Sequence, residues 1–137
     1  WESKAAGLYM ICTLSKHQAE KDGYTDSLML DHEGNIAEAT SANIFFKDKN
    51  NELHTPIPDS FLDGITRRTV IDLAKSKSIK INERKISPNE LSNFMGCFIT
   101  GTAAEITPVG NILDNKFEVC DLIKDLSSSY EILVGKN

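Results

Sequence analysis

Residues 94–109 read FMGCFITGTAAEITPV, a strongly apolar stretch that is interrupted by a run of small residues. The first seven residues have the length and composition of a buried strand, and residues 105–109 predict a second strand after a turn. The string TGTAAE, residues 100–105, joins the two strands. It is interpreted either as a tight turn or as a turn whose backbone N–H groups can closely approach a ligand anion.

The patterns on both sides of this stretch alternate between short strands and helices. Residues 5–22 carry apolar or small side chains at helical spacing, which predicts an amphipathic helix that begins after Lys4 and ends at Gly23. Turn-rich strings predict two hairpins, 26–30 with 36–39 and 43–47 with 52–55. The remaining predicted elements are a helix over 65–77, a strand from Ile79 to about Ile86, a short helix from Pro88 to Leu91, and a C-terminal helix through Leu122, Ile123, Leu126, Tyr130 and Leu133.

Runs of strands with helices at the start, the middle and the end predict an α+β or mixed α/β fold with the strands in a meander. A regular parallel, doubly wound sheet is the less favoured arrangement. The chain has 137 residues, of which 40% are hydrophobic and 26% charged. This is enough for a single domain, residues 1–137, that buries its own core.

The charge and the cysteines limit the partners and the compartment. The formal net charge is -5, with lysines and acidic residues interleaved, which argues against a nucleic-acid or anionic-membrane surface. Cys12, Cys97 and Cys120 are odd in number and far apart, which indicates free thiols in a reducing, cytoplasmic compartment. The three histidines are scattered and are interpreted as ordinary surface or turn residues, so no metal site is predicted. No apolar run reaches the length of a membrane span.

A second candidate anion site lies at residues 61–67, FLDGITR, where a loop runs into the predicted helix. Gly64 and Thr66 stand where a helix exposes unpaired backbone N–H groups and the positive end of its dipole, an arrangement that binds phosphate. Ordinary helix capping by Asp63 or Thr66 is the alternative interpretation. If phosphate binds here, Asp63 has to turn its carboxylate away from the anion.

Four segments taken together resemble the branched-chain amino-acid aminotransferases, pyridoxal-phosphate enzymes of fold type IV. The segments are KAAGLY at 4–9, EATSAN at 38–43, LDGITR at 62–67 and GTAAEITPV at 101–109, in that family's order and approximate spacing. The resemblance implies the large C-terminal, D-amino-acid-aminotransferase-like domain, which binds pyridoxal 5'-phosphate. It also implies a homodimer that transaminates leucine, isoleucine and valine with 2-oxoglutarate.

The resemblance gives Lys4 the catalytic role, in which it would form the Schiff base with the cofactor and move a proton between the substrate Cα and the cofactor C4′. Glu38 would face the pyridine nitrogen and keep it protonated. Tyr9, one turn beyond Lys4 on the first predicted helix, is similar to the tyrosine that hydrogen-bonds the cofactor's phenolic oxygen. Without the resemblance, Lys4 and Glu38 would be interpreted as solvated residues and Tyr9 as a core residue.

The other implied contacts involve the phosphate, the ring and the substrate. Ile65 and Thr66 would donate to the phosphate, and Thr102 would reach it from the other turn. The remaining implied cofactor contacts are Asn43, which supports the Glu38 loop, Leu62 against the ring, and Gly64 and Gly101 in the two turns. The implied substrate-binding residues are Thr102, Ala103 and Ala104, the alanines through backbone N–H groups that meet the carboxylate.

Only three residues precede Lys4, whereas the family has a smaller N-terminal domain before the lysine. The resemblance implies that this N-terminal domain supplies an arginine that contacts the phosphate and much of the substrate pocket. We therefore expect the 137-residue chain to be the C-terminal half of an enzyme and to be inactive by itself.

Two other enzymes and one protein without activity remain as alternatives. D-amino-acid aminotransferases and aminodeoxychorismate lyases share the lysine, the glutamate and the G-I-T helix start, although the GTAA string at 101–104 favours the branched-chain group. The chain could also be an inactive remnant that binds a phosphorylated ligand or a partner half. Lys4 and Glu38 argue against a remnant because binding alone needs neither of them.

Overall fold

The computed structural model describes residues 9–14, 25–30, 33–39, 43–57, 65–100 and 106–135. The strands are β1 (Tyr9–Leu14), β2 (Thr25–Leu30), β3 (Ile36–Ala39), β4 (Asn43–Asp48), β5 (Leu53–Thr55), β6 (Ile81–Glu83), β7 (Phe94–Thr100), β8 (Thr107–Ile112) and β9 (Asn115–Lys116). The helices are α1 (Ile65–Ser76), a 3-10 helix (Pro88–Asn93) and α2 (Asp121–Leu133).

The strands form one sheet in the order β3-β2-β1-β8-β7-β4-β5-β6, with β9 paired to β8. The described pairings are antiparallel except that of β5 with β6, which is parallel and uses α1 as its crossover connection. β3 also contacts β4, and the Ile36 N–H donates to the Ile86 carbonyl at 2.8 Å, so the sheet curls back on itself. The prediction of an α+β or mixed fold with flanking helices is confirmed.

β4 and β7 lie in the middle of this order and are buried on both faces. On β4, Ile44 and Phe46 belong to one hydrophobic cluster and Phe45 to the other, as the alternation of side chains along a strand requires. On β7, Phe98 stacks on Phe45 with ring centroids 4.9 Å apart. The cluster that holds Phe45 also contains the buried apolar residues of α1 and α2, so both helices cover that face of the sheet. The two-sided burial explains the continuous apolar run of residues 94–100.

Gly96 lets α2 begin close to β7. A Cβ atom at this position would lie 2.9 Å from Ile123 Cδ1, 3.2 Å from Cys120 Sγ and 3.3 Å from the Glu118 carbonyl oxygen. Real Cβ atoms essentially never approach another heavy atom within 3.0 Å. Glycine therefore allows close packing here, whereas a Cβ atom would require Ile123 Cδ1 to shift and would crowd Cys120 and the Glu118 carbonyl.

Both predicted hairpins are confirmed, since β2 pairs with β3 and β4 pairs with β5. Their turns contain positive φ angles at residues suited to them, 87° at Gly34 and 64° at Asn51. Asp48 closes the second turn, because its Oδ1 accepts the N–H groups of Asn50 at 2.8 Å and Glu52 at 3.0 Å. The predicted helix over 65–77, the strand over 94–100, the short helix at Pro88 and the C-terminal helix are confirmed as well.

The helix predicted over residues 5–22 is wrong where the structure describes this segment, because Tyr9–Leu14 is a strand. The sequence YMICTL is a short apolar run, and periodicity alone cannot separate such a run from part of a buried helix. β1 pairs with β2 on one side and with β8 on the other, so pairing with distant strands decides its conformation. Tyr9 is thus the first residue of a strand and not a helix residue.

Several smaller expectations also change. The strand predicted to reach Ile86 is limited to Ile81–Glu83, and β8 is Thr107–Ile112 in place of 105–109. Leu133 was placed on the apolar face of the C-terminal helix, but it is 60% exposed at the helix end. The two-residue strand β9 was not predicted. None of the helices that the structure describes is long and apolar enough to cross a membrane.

Candidate functional site

The candidate site lies at the end of the sheet where β4 begins and β7 ends. Asn43 and Thr100 are partners in the β4–β7 ladder, and the alternation along each strand places them on the face of Phe45 and Phe98, which the helices cover. Thr100 is fully buried, and its hydroxyl oxygen has no hydrogen-bond partner within the described part of the chain. Buried hydroxyls in folded proteins are normally paired, so the Thr100 hydroxyl still has a hydrogen bond to make beyond the described residues.

β5 and β6 end at the same end of the sheet. The Thr55 hydroxyl is fully buried and donates to the Ile44 carbonyl at 2.7 Å, which joins the end of β5 to the residue after Asn43. In the parallel β5–β6 pair, Thr55 lies opposite Glu83. Four adjacent strands therefore bring Glu83, Thr55, Asn43 and Thr100 to one end of the sheet.

The N-terminal turn of α1 is positively charged. It reads Ile65-Thr66-Arg67-Arg68 and contains no acidic residue, although a helix start is ordinarily stabilised by acidic side chains. The first N–H groups of a helix have no partner inside the helix, so those of Ile65 and Thr66 can donate to an anion. Thr66 is the second helical residue, which places it inside the helix and not at the capping position that was considered for it.

Arg67 ties the start of α1 to this end of the sheet. Its side chain is buried, and Nη2 donates to Glu83 Oε2 at 2.8 Å and to the Pro56 carbonyl at 3.3 Å. Pro56 directly follows Thr55, so the arginine fixes the helix start to β5 and β6 together. The turn that would hold an anion is thus attached to the end of the sheet that carries Asn43 and Thr100. We call this end of the sheet, with Thr55, Glu83, Asn43 and Thr100, the frame.

The predicted site residues fall into three groups. Asn43, Ile65 and Thr66 lie in the frame just described. Tyr9 on β1 and Glu38 on β3 are both backbone partners of Met29 on β2, so they lie about two strand spacings, roughly 10 Å, apart. The predicted site residues outside the described residues are Lys4, Leu62, Gly64, Gly101, Thr102, Ala103 and Ala104, and Asp63 lies outside them as well.

The sequence interpretation missed Thr55, Arg67 and Thr100 as parts of the site. Arg67 stands in the LDGITR string, but its role depends on contacts with Glu83 and the Pro56 carbonyl that the sequence does not report. Thr55 gave no signal either, since its role depends on a hydrogen bond to a neighbouring strand. Thr100 stood in the small-residue string, but the sequence does not report that its side chain is buried.

His54 lies in β5 with its side chain mostly buried, and not on the surface or in a turn as expected. Its Nε2 contacts Asp48 Oδ2 at 2.8 Å, and its Nδ1 accepts from Arg84 Nε at 3.1 Å. Asp48, Glu52 and His54 offer ligand atoms within 4.8 Å of one another, a spacing that could hold a cation. Both ring nitrogens of His54 and both carboxylate oxygens of Asp48 are already used in hydrogen bonds, so this cluster is described as a structural network.

The pKa values of two carboxyl groups reflect that network. Burial raises the pKa of Asp48, but the hydrogen bonds from His54 and from the N–H groups of Glu52 and Asn50 outweigh burial, and the pKa lies below its ordinary value. Hydrogen bonds from Arg84 lower the pKa of Glu90 against the opposing effect of burial. Both carboxyl groups are therefore held ionised by neighbours that do not belong to the candidate site.

The chain is similar to known proteins over most of its length. The family model described as amino-transferase class IV matches residues 3–112. A Rickettsia bellii (strain RML369-C) protein named probable branched-chain-amino-acid aminotransferase is 41% identical over 131 residues, which cover 90% of this chain and 45% of that protein. The branched-chain aminotransferase of Thermoproteus uzoniensis, solved with norvaline, superposes with a TM-score of 0.74 at 35% identity, over 82% of this chain and 38% of that one.

The branched-chain amino acid aminotransferase of Thermobaculum terrenum, solved in its PLP form, superposes with a TM-score of 0.73 at 33% identity. The match covers 80% of this chain and 38% of that chain. This chain therefore spans less than half the length of the relatives that it matches.

Proposed function

Because this chain belongs to the class IV aminotransferase family and has the fold type IV architecture of its solved relatives, we propose that it is the cofactor-binding part of a branched-chain aminotransferase. The cofactor is pyridoxal 5'-phosphate, and the whole protein transfers the amino group of leucine, isoleucine or valine to 2-oxoglutarate. Residues 1–137 are the C-terminal domain of that enzyme, and the N-terminal domain completes the site.

The observation that carries this proposal is a helix without acidic residues in its first turn, fixed to the same end of the sheet as the buried Thr100 hydroxyl, which has no partner among the described residues. The N–H groups of Ile65 and Thr66 suit a phosphate dianion, and the first turn of α1 brings no acidic side chain that would repel it. The hydroxyl of Thr100 has no hydrogen-bond partner among the described residues. Thr100 directly precedes Gly101 and Thr102, the second predicted phosphate segment. These residues fit the phosphate group of the proposed cofactor.

Pyridoxal phosphate, when bound, supplies an electron sink for the negative charge that remains on the substrate Cα after deprotonation. The amine of Lys4 would accept that proton from Cα and deliver it to the cofactor C4′. The Glu38 carboxylate would hold the pyridine nitrogen protonated. Backbone N–H groups of Ala103 and Ala104 would orient the substrate carboxylate, and Tyr9 would donate to the phenolic oxygen.

Substitution of Lys4 tests the proposal in the protein encoded by the complete gene. Lys4→Ala should abolish transamination of L-leucine with 2-oxoglutarate and remove the absorption band of a lysine-bound cofactor, while weaker non-covalent binding of pyridoxal phosphate remains. Lys75→Ala, on the exposed side of α1, is the matched control and should keep both. Substantial turnover by Lys4→Ala, or activity of the unaltered protein with D-alanine but not with L-leucine, would contradict the assignment.

A homodimer and a cytoplasmic location complete the proposal. The family resemblance supports the dimer. Cys97 and Cys120 form no disulfide within the described residues, which supports a reducing compartment. Sedimentation velocity of the complete gene product tests the dimer, and fractionation of the source cells tests the location.

A further inference from the structure

The functional roles proposed above leave Arg67 without a function, although it is a buried cation next to a proposed phosphate-binding residue. Its side chain is 2% exposed, whereas that of Arg68, the next residue on the same helical turn, is exposed. A buried guanidinium is costly to desolvate and is normally retained only with good hydrogen-bond partners. Glu83 and the Pro56 carbonyl are such partners.

Those partners belong to the frame that carries the other side of the site. Arg67 contacts Pro56, the preceding Thr55 donates to Ile44, and Asn43 next to Ile44 pairs with Thr100. The start of α1 is thus connected with the end of β7 through side-chain hydrogen bonds and one strand pairing. β5 and β7 are separated by β4 alone, so these two strands lie about 10 Å apart across the sheet.

We propose that Arg67 is a positioning residue that fixes the α1 start, with the N–H groups of Ile65 and Thr66, at the distance from the end of β7 that a phosphate group requires. This inference rests on the proposed function, because it assumes that the phosphate lies between these two elements. Arg67 acts through the backbone that it holds, because its Nη2 group donates to Glu83 and Pro56. The Thr100 hydroxyl at the far side has no partner among the described residues, so it can donate to a ligand there.

Lysine cannot replace arginine in this role. The Nη2 group of Arg67 reaches two acceptors on different strands from a planar, rigid fork, whereas an ammonium group is a point charge on a flexible chain. Arg67→Lys therefore keeps the charge and loses the geometry. Arg68→Met removes an equal charge from the same turn and leaves the Arg67 contacts in place, so the pair of variants separates positioning from electrostatic attraction.

The test compares pyridoxal phosphate with pyridoxal, which has the same ring and aldehyde but no phosphate. Dissociation constants for both are measured by absorbance on the cofactor-free protein from the complete gene, for the unaltered protein and for Arg67→Lys, Arg67→Met and Arg68→Met. Arg67→Lys and Arg67→Met should each raise the dissociation constant of pyridoxal phosphate about tenfold or more and change that of pyridoxal little. Arg68→Met should leave the ratio of the two constants close to that of the unaltered protein.

Glu83→Gln keeps the shape of the partner and covers the case in which an Arg67 variant does not fold. It should raise the ratio of the pyridoxal phosphate dissociation constant to the pyridoxal dissociation constant, as the Arg67 variants do, but by a smaller factor. The effect is smaller because Glu83 is half exposed and the Pro56 contact remains. The inference would be overturned by equal weakening of the binding of both ligands, or by an unchanged ratio of the two constants in the folded Arg67 or Glu83 variants. It would also be overturned if Arg68→Met changed that ratio as much as the Arg67 variants do. If the unaltered protein binds neither ligand, the proposed function fails, which is a separate outcome.

Discussion

Thr100 and Asn43 are partners in the β4–β7 ladder, and the buried hydroxyl of Thr100 has no hydrogen-bond partner in the described part of the chain. A buried hydroxyl without a partner costs free energy, so Thr100→Val should raise the free energy of unfolding of the cofactor-free protein by up to about 1 kcal/mol. With pyridoxal phosphate bound, the same change should lower the free energy of unfolding if the hydroxyl is used in the complex. Thermal unfolding with and without cofactor measures both, with Thr100→Ser as the control. A less stable cofactor-free Thr100→Val protein would mean that the hydroxyl already has a partner.

Glu38→Gln tests the proposed electron sink in the protein from the complete gene. Loss of the negative charge weakens protonation of the pyridine nitrogen, so removal of the substrate Cα proton should slow by about 100-fold. The lysine-bound cofactor band should persist. Exchange of the Cα hydrogen of L-leucine with deuterated solvent measures the step, and the exposed Glu118→Gln is the control. An unchanged exchange rate would remove Glu38 from this role.

Glu90→Gln should change how stability depends on pH. The folded-state pKa of Glu90 lies below its ordinary value, so the ionised carboxylate stabilises the fold above the unfolded-state pKa, and this stabilisation is lost as the pH falls through the folded-state pKa. The variant should lose less than about 1 kcal/mol at pH 7 because Arg84 is partly exposed. Its stability should fall less steeply than that of the unaltered protein below about pH 4. Parallel pH curves from urea unfolding would contradict this account.

Gly96→Ala should destabilise the junction between β7 and α2. The new methyl group would lie 2.9 Å from Ile123 Cδ1, and such overpacking costs about 1–3 kcal/mol. Adding Ile123→Val removes the closest atom and should recover part of the loss, which a double-mutant cycle in urea quantifies. Met95→Ala, at an exposed position of the same strand, is the control. Additive effects of the Gly96 and Ile123 substitutions would show that this contact is not the cause.

The 137-residue chain alone should not transaminate branched-chain amino acids at saturating cofactor. Its phosphate contacts would be neutral amides and hydroxyls, and charge-assisted contacts such as those from an arginine are roughly twice as strong. An uncovered cofactor face would also admit water and weaken electrostatic contacts. The assay is repeated after adding the separately expressed N-terminal half encoded by the complete gene. Full activity of the chain alone would refute the expectation, and activity only after mixing would support it.

Local sequence patterns were sufficient to predict those elements whose conformation depends on residues adjacent in the sequence. The hairpin at Asn51 follows from turn chemistry, and the strand Phe94–Thr100 follows from an apolar run bounded by small residues. β1 could not be predicted, because YMICTL becomes a strand through pairing with β2 and β8, and β8 lies far away in sequence. Short apolar runs are ambiguous for this reason.

In the candidate site, too, the residues with a local sequence signal could be predicted and those that depend on tertiary contacts could not. The anion site at Gly64 and Thr66 was predicted because a helix start exposes unpaired N–H groups and the positive end of its dipole, and the family resemblance implied the contacts of Ile65 and Thr66. Thr55 and Arg67 depend on which strands become neighbours, through the carbonyls of Ile44 and Pro56. No periodicity in the sequence reports such contacts, so they required the tertiary structure.

The strands β4 and β7 are separated in the chain by β5, α1, β6 and the 3-10 helix, yet they pair directly. During synthesis the start of α1 is therefore complete well before β7 leaves the ribosome, and the two sides of the proposed phosphate site do not yet coexist. Capture of the cofactor has to follow closure of these long-range strand pairs, which form late because loop closure is entropically costly. The ligand would then stabilise the finished fold by mass action, by about 2.7 kcal/mol at a free concentration 100 times its dissociation constant, and would not guide the early steps of folding.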